Sequence, residues 1–299
     1  IKQDILTIYF LILNQNLNIK IMTFEEIANN HKTYQTKEYV EHEIFSILND
    51  LVEFYDSLSF NVMGFLHPGI GSQIWYNIDT YLYSSIKGTL DSIRLVLEKG
   101  RISDAFSLTR KYHDTVVIDI YKSIYAKTHQ DLSAGKWVVE QINNWATNKG
   151  HLPWYEPMIK YIQQYNDLDA LHAYFDFGKT GKYSNIRKLC NNYNHANSFY
   201  YIIMNDNDIL NKHRINELTR ISDCVRDIFI FHFAYCISLN PHYIMASDYT
   251  DALDCGMPPE KGSECWVAPF AQKIFDKYIK TRCPDLAAYI IKNNAMQFD

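Results

Sequence analysis

The chain has 299 residues, 47% of them hydrophobic, which is enough apolar content for a folded core and too much for a disordered protein. Its formal net charge is −5 and no run of Lys or Arg exceeds two residues, which excludes the basic face of a dedicated duplex-DNA-binding protein. Only 11 Gly and 8 Pro occur, so the composition favours long helices over an all-β fold.

The first 21 residues differ from the rest of the chain. Their apolar patch, Ile5 to Leu13, is too short to span a membrane, and it lacks the flanking features of a signal peptide. Met22 is followed by residues typical of a capped helix start. We therefore predict that residues 1–21 are an upstream extension or a flexible N-terminus, and that residues 22–299 form a single all-helical domain.

Apolar residues recur at helical spacing along most of the remaining chain. The predicted helices are Thr36–Leu58, Gln73–Glu98, Ser103–Ala126, Trp137–Trp145, Pro157–Tyr165, Leu168–Phe175, Ser184–Met204, Arg214–Leu239 and two short helices on either side of Pro284. Loops are predicted at 60–72 and 254–265, and the one candidate boundary inside the domain lies near 128–155. The pattern predicts an all-α, multi-helix up-and-down bundle.

The six cysteines form no C-x-x-C pair, and their spacing fits neither a zinc ribbon nor a dense disulfide framework. Cys224 and Cys236 lie in apolar helical stretches, so we predict that they are buried thiols. This usage is typical of a reducing compartment, and it predicts a cytoplasmic protein without a bound metal or cofactor.

The predicted helix Ser184–Met204 carries the first candidate site. Arg187, Asn191 and His195 are spaced at i, i+4 and i+8, so they align on one face, away from the apolar stripe. Its Asn-rich segment 191–197 propagates a helix poorly. One interpretation is a solvated surface, and the other is a polar pocket in which His195 transfers protons and Arg187 binds an anion.

The predicted helix Ser103–Ala126 carries a second cluster. Arg110 and Asp114 are spaced as an ordinary helical ion pair, and His113 lies beside the apolar stripe. His113 is either a half-buried structural histidine or part of a site. His232 lies inside the apolar stripe of Arg214–Leu239 and is predicted to be a core histidine.

Three polar segments carry weaker signals. The loop Gly69–Ser72 precedes a helix and is a weak candidate for anion binding. Glu41, His42 and Glu43 are interpreted as solvated residues. Asp248, Asp251 and Asp254 are predicted to be acidic residues on a helix surface.

Two segments of the chain are similar to a known family. The first is Thr89–Tyr125, which contains Ser103-Asp104-Ala105-Phe106-Ser107-Leu108-Thr109-Arg110. The second is Tyr183–Asn197, which contains Leu189-Cys190-Asn191-Asn192-Tyr193-Asn194-His195. They resemble the HEPN-like (higher eukaryote and prokaryote nucleotide-binding) helical superfamily, over about a third of the chain. The resemblance implies a helical bundle, often a homodimer, and for many members a metal-independent endoribonuclease in a bacterial defence or toxin-type role. The family motif is Arg, four to six residues, then His. Seven residues separate Arg187 from His195, and the motif spacing recurs at Arg226–His232 within an apolar run.

The resemblance gives the first functional expectation, in which RNA is the partner and the site residues are His195, Arg187, Asn191, His113 and Arg110. A His would act as base or acid on the ribose 2′-hydroxyl, and an Arg would stabilise charge on the phosphate. The alternative is a non-catalytic helical module that dimerises through its tyrosine-rich faces. A third hypothesis is an enzyme that holds a small phosphorylated ligand at Gly69–Ser72.

Overall fold

The fold is all-α in the computed structural model, which describes residues 33–66, 74–131, 133, 138–176, 181–206, 211 and 213–299. The helices, in chain order, are α1 (Lys37–Val40), α2 (Glu43–Leu66), α3 (Ile74–Glu98), α4 (Ile102–His129), α5 (Glu140–Ala146), α6 (Tyr155–Gln163), α7 (Asp169–Phe175), α8 (Lys182–Asn194), α9 (Phe199–Ile203), α10 (His213–Leu239), α11 (Asp248–Asp254), α12 (Pro269–Ile274), which continues as a π-helix (Phe275–Lys280), and α13 (Pro284–Asn293). Within the described ranges there is no β-strand, and the all-α, multi-helix prediction is confirmed.

The four long helices form the centre of the fold. Helix α2 packs on α3, α3 on α4, α4 on α10, and α10 on α2, so the four helices enclose one core. The main buried cluster contains residues from both sides of 128–155, for example Leu51, Ile120, Met158 and Phe229. Helices α6 and α8 pack on the outside of α4, and α12 packs against α2. No described helix has the length and apolar content needed to cross a bilayer.

Three of the predicted helices in this centre, α3, α4 and α10, match the observed ones closely, whereas the predicted Thr36–Leu58 is divided into α1 and a longer α2. Gly100 ends α3 with a positive φ of 71°, which is the left-handed conformation that glycine adopts without steric cost. The predicted apolar stripe of α4 is buried along its whole length, and so are Cys224 and Cys236 on α10. The prediction that His232 is a core histidine is also confirmed, because 1% of its surface is exposed.

The predicted loop at 60–72 was wrong in its first half, because α2 continues to Leu66. Val62 is buried there, and the Asn61 amide donates hydrogen bonds to the carbonyl groups of Tyr243 (2.8 Å) and Met245 (3.1 Å). These tertiary contacts outweigh the turn-forming composition of the segment. The remaining loop residues, including Gly69–Ser72, and the extension 1–21 lie outside the described residues.

Arg214 fixes the connections at one end of the bundle. It is almost completely buried, and its guanidinium donates to the carbonyl oxygens of Gly100, Asp206 and Met204, the last at 3.4 Å. One side chain of α10 therefore holds both the α3–α4 turn and the chain that follows α9. A planar guanidinium suits this role because it carries five donors in a fixed arrangement.

We expect Arg214→Met to lower the free energy of unfolding by about 3 kcal/mol, because several buried carbonyl groups would lose their donor. Urea denaturation at pH 7 measures this loss. Arg101→Met is the control, since Arg101 is exposed and its replacement should change stability by less than about 0.5 kcal/mol. Equal losses in the two variants would contradict the structural role of Arg214.

Candidate functional site

Helix α8 has one buried apolar face, and its three basic residues are spread around the rest of the helix. Its buried residues pack towards α4 and recur at helical spacing: Tyr183, Ile186, Cys190 and Tyr193. The same helix carries Lys182, Arg187 and Lys188 and no acidic residue, and none occurs from residue 195 to residue 205. In a chain whose net charge is −5, this segment is a local concentration of positive charge.

The predicted continuous helix Ser184–Met204 was wrong, because α8 ends at Asn194 and α9 begins at Phe199. The Ala196 amide donates to the Tyr193 carbonyl (3.1 Å) and the Asn197 amide to the Asn192 carbonyl (3.1 Å), the hydrogen-bond pattern of a Schellman cap. Ala196 has a φ of 47° in the position that usually holds glycine. Asparagine propagates a helix poorly, so the asparagine-rich segment favours the end of α8 at this point.

Four of the five predicted site residues meet around one carboxylate. Arg110 pairs with Asp114 (Nη2 to Oδ2, 2.8 Å) and donates from Nη1 to the side-chain oxygen of Asn191 (2.6 Å). Arg187 approaches the same Asp114 from α8 (Nε to Oδ1, 3.4 Å). Asp114 is about one-third exposed, so the cluster opens to solvent. It carries two guanidinium groups and one carboxylate, which leaves one net positive charge.

Arg187 is also held from below by an aromatic ring. Its guanidinium carbon lies 3.7 Å from the centre of the Tyr155 ring, which fits a cation–π contact. The Nε group of Arg187 donates a long hydrogen bond to Asp114 (3.4 Å). The described residues supply no acceptor for the two Nη groups of Arg187. These four N–H donors match the fork geometry with which an arginine binds a phosphate.

His113 lies beneath this cluster and is fully buried. Its ring stacks on Tyr183, with ring centres 4.2 Å apart, and Nδ1 lies 3.3 Å from an Asp114 oxygen. Its Nε2 has no hydrogen-bond partner among the described residues. Burial is the main cause that lowers the pKa of the imidazole, and the Asp114 carboxylate acts in the opposite direction. His113 therefore supports the cluster as a neutral ring and does not reach solvent.

His195 is not brought into the Asp114 cluster. It is the C-cap residue of α8, its backbone amide donates to the Asn191 carbonyl (3.0 Å), and its side chain is exposed. It lies one helical turn beyond Asn191, directly before the left-handed Ala196. The cluster thus consists of two arginines, one amide and the Asp114 carboxylate above the buried His113, and the solvent-accessible His195 lies at the end of α8.

A second set of titratable groups lies inside the bundle, where sequence analysis predicted only a core histidine. Asp119 of α4 accepts hydrogen bonds from His232 Nε2 (2.9 Å) and from the Tyr83 hydroxyl (3.3 Å). Lys122 pairs with the same carboxylate (3.1 Å) and with Asp79 of α3. We call these five side chains the interior network.

Hydroxyl groups extend the interior network. Tyr55 of α2 contacts His232 Nδ1 (2.6 Å) and the Tyr112 hydroxyl (3.1 Å), and Tyr243 donates to Asp79 (2.9 Å). Burial lowers the pKa of the Lys122 ammonium to about 7, while the two adjacent carboxylates favour its charged form. The network thus connects all four long helices.

The remaining predicted polar groups contribute no further site within the described residues. Arg226 is buried and pairs with Glu43 (2.9 Å) and Asp223 (2.6 Å). His232 instead belongs to the interior network. Arg226 and His232 therefore have the spacing of the family motif but contact different partners. Glu43 is exposed to solvent as predicted, and it forms the ion pair with Arg226 at the surface. No described group of three His, Cys, Asp or Glu side chains is arranged to hold a metal ion.

Sequence analysis missed two features of the site. The absence of acidic residues from α8 was available as a signal in the sequence. Tyr155, by contrast, lies on α6, 32 positions before Arg187, and nothing in its local pattern predicts that it supports an arginine of another helix.

No protein-family model, curated protein or solved structure matches this chain. The HEPN-like resemblance therefore stays a prediction, and the argument for function depends on the geometry of the cluster.

The burial of His113 predicts a pH dependence of stability. Its pKa in the fold lies below the value of about 6.5 of an unfolded histidine, so below pH 6.5 the unfolded chain binds a proton that the folded chain does not. The free energy of unfolding should therefore fall as pH decreases from 7 to 5. In His113→Gln this fall should be shallower by at most about 1.4 kcal/mol per pH unit. Parallel curves for the two proteins, measured by urea denaturation, would contradict it.

The interior network predicts a large effect of Lys122→Met. The change would leave two buried carboxylates facing each other without a cation, so we expect a loss of about 3–5 kcal/mol in the free energy of unfolding at pH 7. Lys111→Met is the matched control on the same helix, because Lys111 is exposed and should cost less than about 0.5 kcal/mol. A loss for Lys122→Met as small as that of the control would show that the network does not stabilise the bundle.

Proposed function

We propose that this protein binds RNA on the α8 surface and cleaves it without a metal ion, as a HEPN-like endoribonuclease. The observation that carries the proposal is the convergence of Arg110 and Arg187, from two different helices, on the partly exposed carboxylate of Asp114. Two guanidinium groups held together at a surface are suited to bind a phosphodiester. The concentration of basic residues on α8 supports the same partner.

In this proposal the arginines bind the phosphate and His195 supplies the proton transfer. His195 removes the proton of the ribose 2′-hydroxyl, the 2′-oxygen forms a bond to phosphorus, and the bond from phosphorus to the 5′-oxygen breaks. Water delivers a proton to the departing oxygen. The products are a 2′,3′-cyclic phosphate and a 5′-hydroxyl end. Arg187 stabilises the charge that develops on the non-bridging oxygens, and Asn191 orients Arg110 through its 2.6 Å hydrogen bond.

A non-catalytic helical module is the second candidate, and the burial of His113 favours it. His113 cannot serve as a second proton-transfer group while its ring lies beneath Tyr183. Dimerisation of such a module through tyrosine-rich faces is less favoured. Many tyrosines lie in the core and are not available to a second chain: Tyr39, Tyr55, Tyr83, Tyr112, Tyr121, Tyr183, Tyr193, Tyr235, Tyr243 and Tyr278.

Incubation of the purified protein with total RNA in EDTA tests the catalytic proposal. We expect cleavage with 2′,3′-cyclic phosphate ends, and at least a 100-fold lower rate for His195→Ala, since general acid–base catalysis contributes about 10²–10⁴-fold. His151→Ala is the matched control, because His151 is also exposed but lies before α6, and its rate should equal that of the wild type. Absence of cleavage by the wild type would favour the non-catalytic module, and equal loss in both variants would remove His195 from the site.

A further inference from the structure

Trp154 is the most exposed of the described large hydrophobic residues, with 87% of its surface accessible to solvent. Placing an indole ring of this size in water forgoes a large hydrophobic stabilisation, so Trp154 is a candidate contact residue. The residue is not in a random position, because it is the N-cap residue of α6 and directly precedes Tyr155.

The position of Trp154 places it beside the arginine cluster. Tyr155 carries the guanidinium of Arg187 on its ring, 3.7 Å from the ring centre, and its ring centre lies 5.6 Å from that of His113. Consecutive Cα atoms are about 3.8 Å apart, so the backbone of Trp154 lies next to the residue that supports Arg187. The backbone here is extended (φ −63°, ψ 166°) and leads into a helix whose buried side, Met158 and Ile162, packs into the core.

We propose that Trp154 is a stacking platform for an unpaired base whose phosphate is held by Arg187 and Arg110. This inference rests on the proposed RNA-binding function and specifies its substrate as a single-stranded segment. A base inside a duplex is stacked on both faces, so its flat surface is not available to a side chain. An unpaired base offers that surface to any aromatic ring, and single-strand-binding proteins combine such rings with a basic groove.

The guanidinium of Arg187 favours a nucleic acid over a protein as the occupant. The charged groups that act on the adjacent Tyr155 are Arg187, Arg110, Asp114 and Glu156. Asp114 is already engaged by two arginines, and Arg187 retains free Nη donors with respect to the described residues. An aromatic ring next to a phosphate-binding arginine matches the alternation of base and phosphate along one strand.

The test measures binding of a fluorescently labelled 2′-O-methyl RNA oligonucleotide by anisotropy at fixed salt. This RNA lacks a free 2′-hydroxyl, so the result does not depend on cleavage. We expect Trp154→Ala to raise the Kd for the single strand by about 5-fold to 100-fold, the range that base–aromatic stacking contributes. Trp154→Phe should retain most of the affinity, and Phe60→Ala should match the wild type, since Phe60 is an exposed aromatic residue on α2.

The same oligonucleotide annealed to its complement separates stacking from phosphate binding. Trp154→Ala should leave the duplex Kd unchanged, while Arg187→Ala should weaken both complexes. Two binding results overturn the stacking platform but not the phosphate site: an unchanged single-strand Kd for Trp154→Ala, or an equal loss of affinity for the single strand and the duplex. A changed molecular mass of Trp154→Ala in light scattering also overturns it, because that result would assign Trp154 to a protein contact. Failure of the wild type to bind either RNA would overturn the proposed function and this inference together.

Discussion

The carboxylate of Asp119 is the interaction around which the four long helices are arranged. It lies on α4 and receives a proton donor or a cation from α3, α4 and α10, through Tyr83, Lys122 and His232. A buried carboxylate is costly unless its partners are present, so a packing that moved α3 or α10 away from α4 would leave this charge without them. Tyr55, Tyr83, Tyr112 and Tyr243 contribute to the interior network. A tyrosine suits it because its ring fills the core and its hydroxyl forms a hydrogen bond with a buried polar group.

The outer surface of α4 uses similar residues for a different purpose. Asp119 is sealed in the core, whereas Asp114, on the outward side of the same helix, is shared by two arginines that remain in contact with solvent. A rigid helix whose inner face is fixed by a buried charge network is a suitable base for a surface site, since catalytic or binding groups must be held in position. The location of the candidate site therefore depends on the interior that supports it.

The C-terminal end of α8 carries the exposed His195, one turn beyond the Asp114 cluster. Left-handed backbone at a residue other than glycine costs of order 1–2 kcal/mol, and here it occurs at Ala196, between His195 and Asn197. The Schellman hydrogen bonds maintain this conformation, and Ser198 caps the next helix by accepting from the Tyr200 amide (3.3 Å). His195 is the C-cap residue one helical turn beyond Asn191, and in the proposed function a bound strand would follow α8 to its C-terminal end.

The sequence by itself determined the all-α class, most helix boundaries, the burial of His232 and the candidate residues of α4 and α8. Each of these follows from the local period of apolar residues and from capping residues, which act over a few positions. Only the tertiary structure decided that Arg187 and Asn191 join the Arg110–Asp114 pair, that Tyr155 supports Arg187, and that Asp79 joins Asp119 and Lys122 in one buried network. The residues that join each group lie on a different helix, tens of residues away, and they meet because helices pack against one another, for which a single sequence carries no local signal.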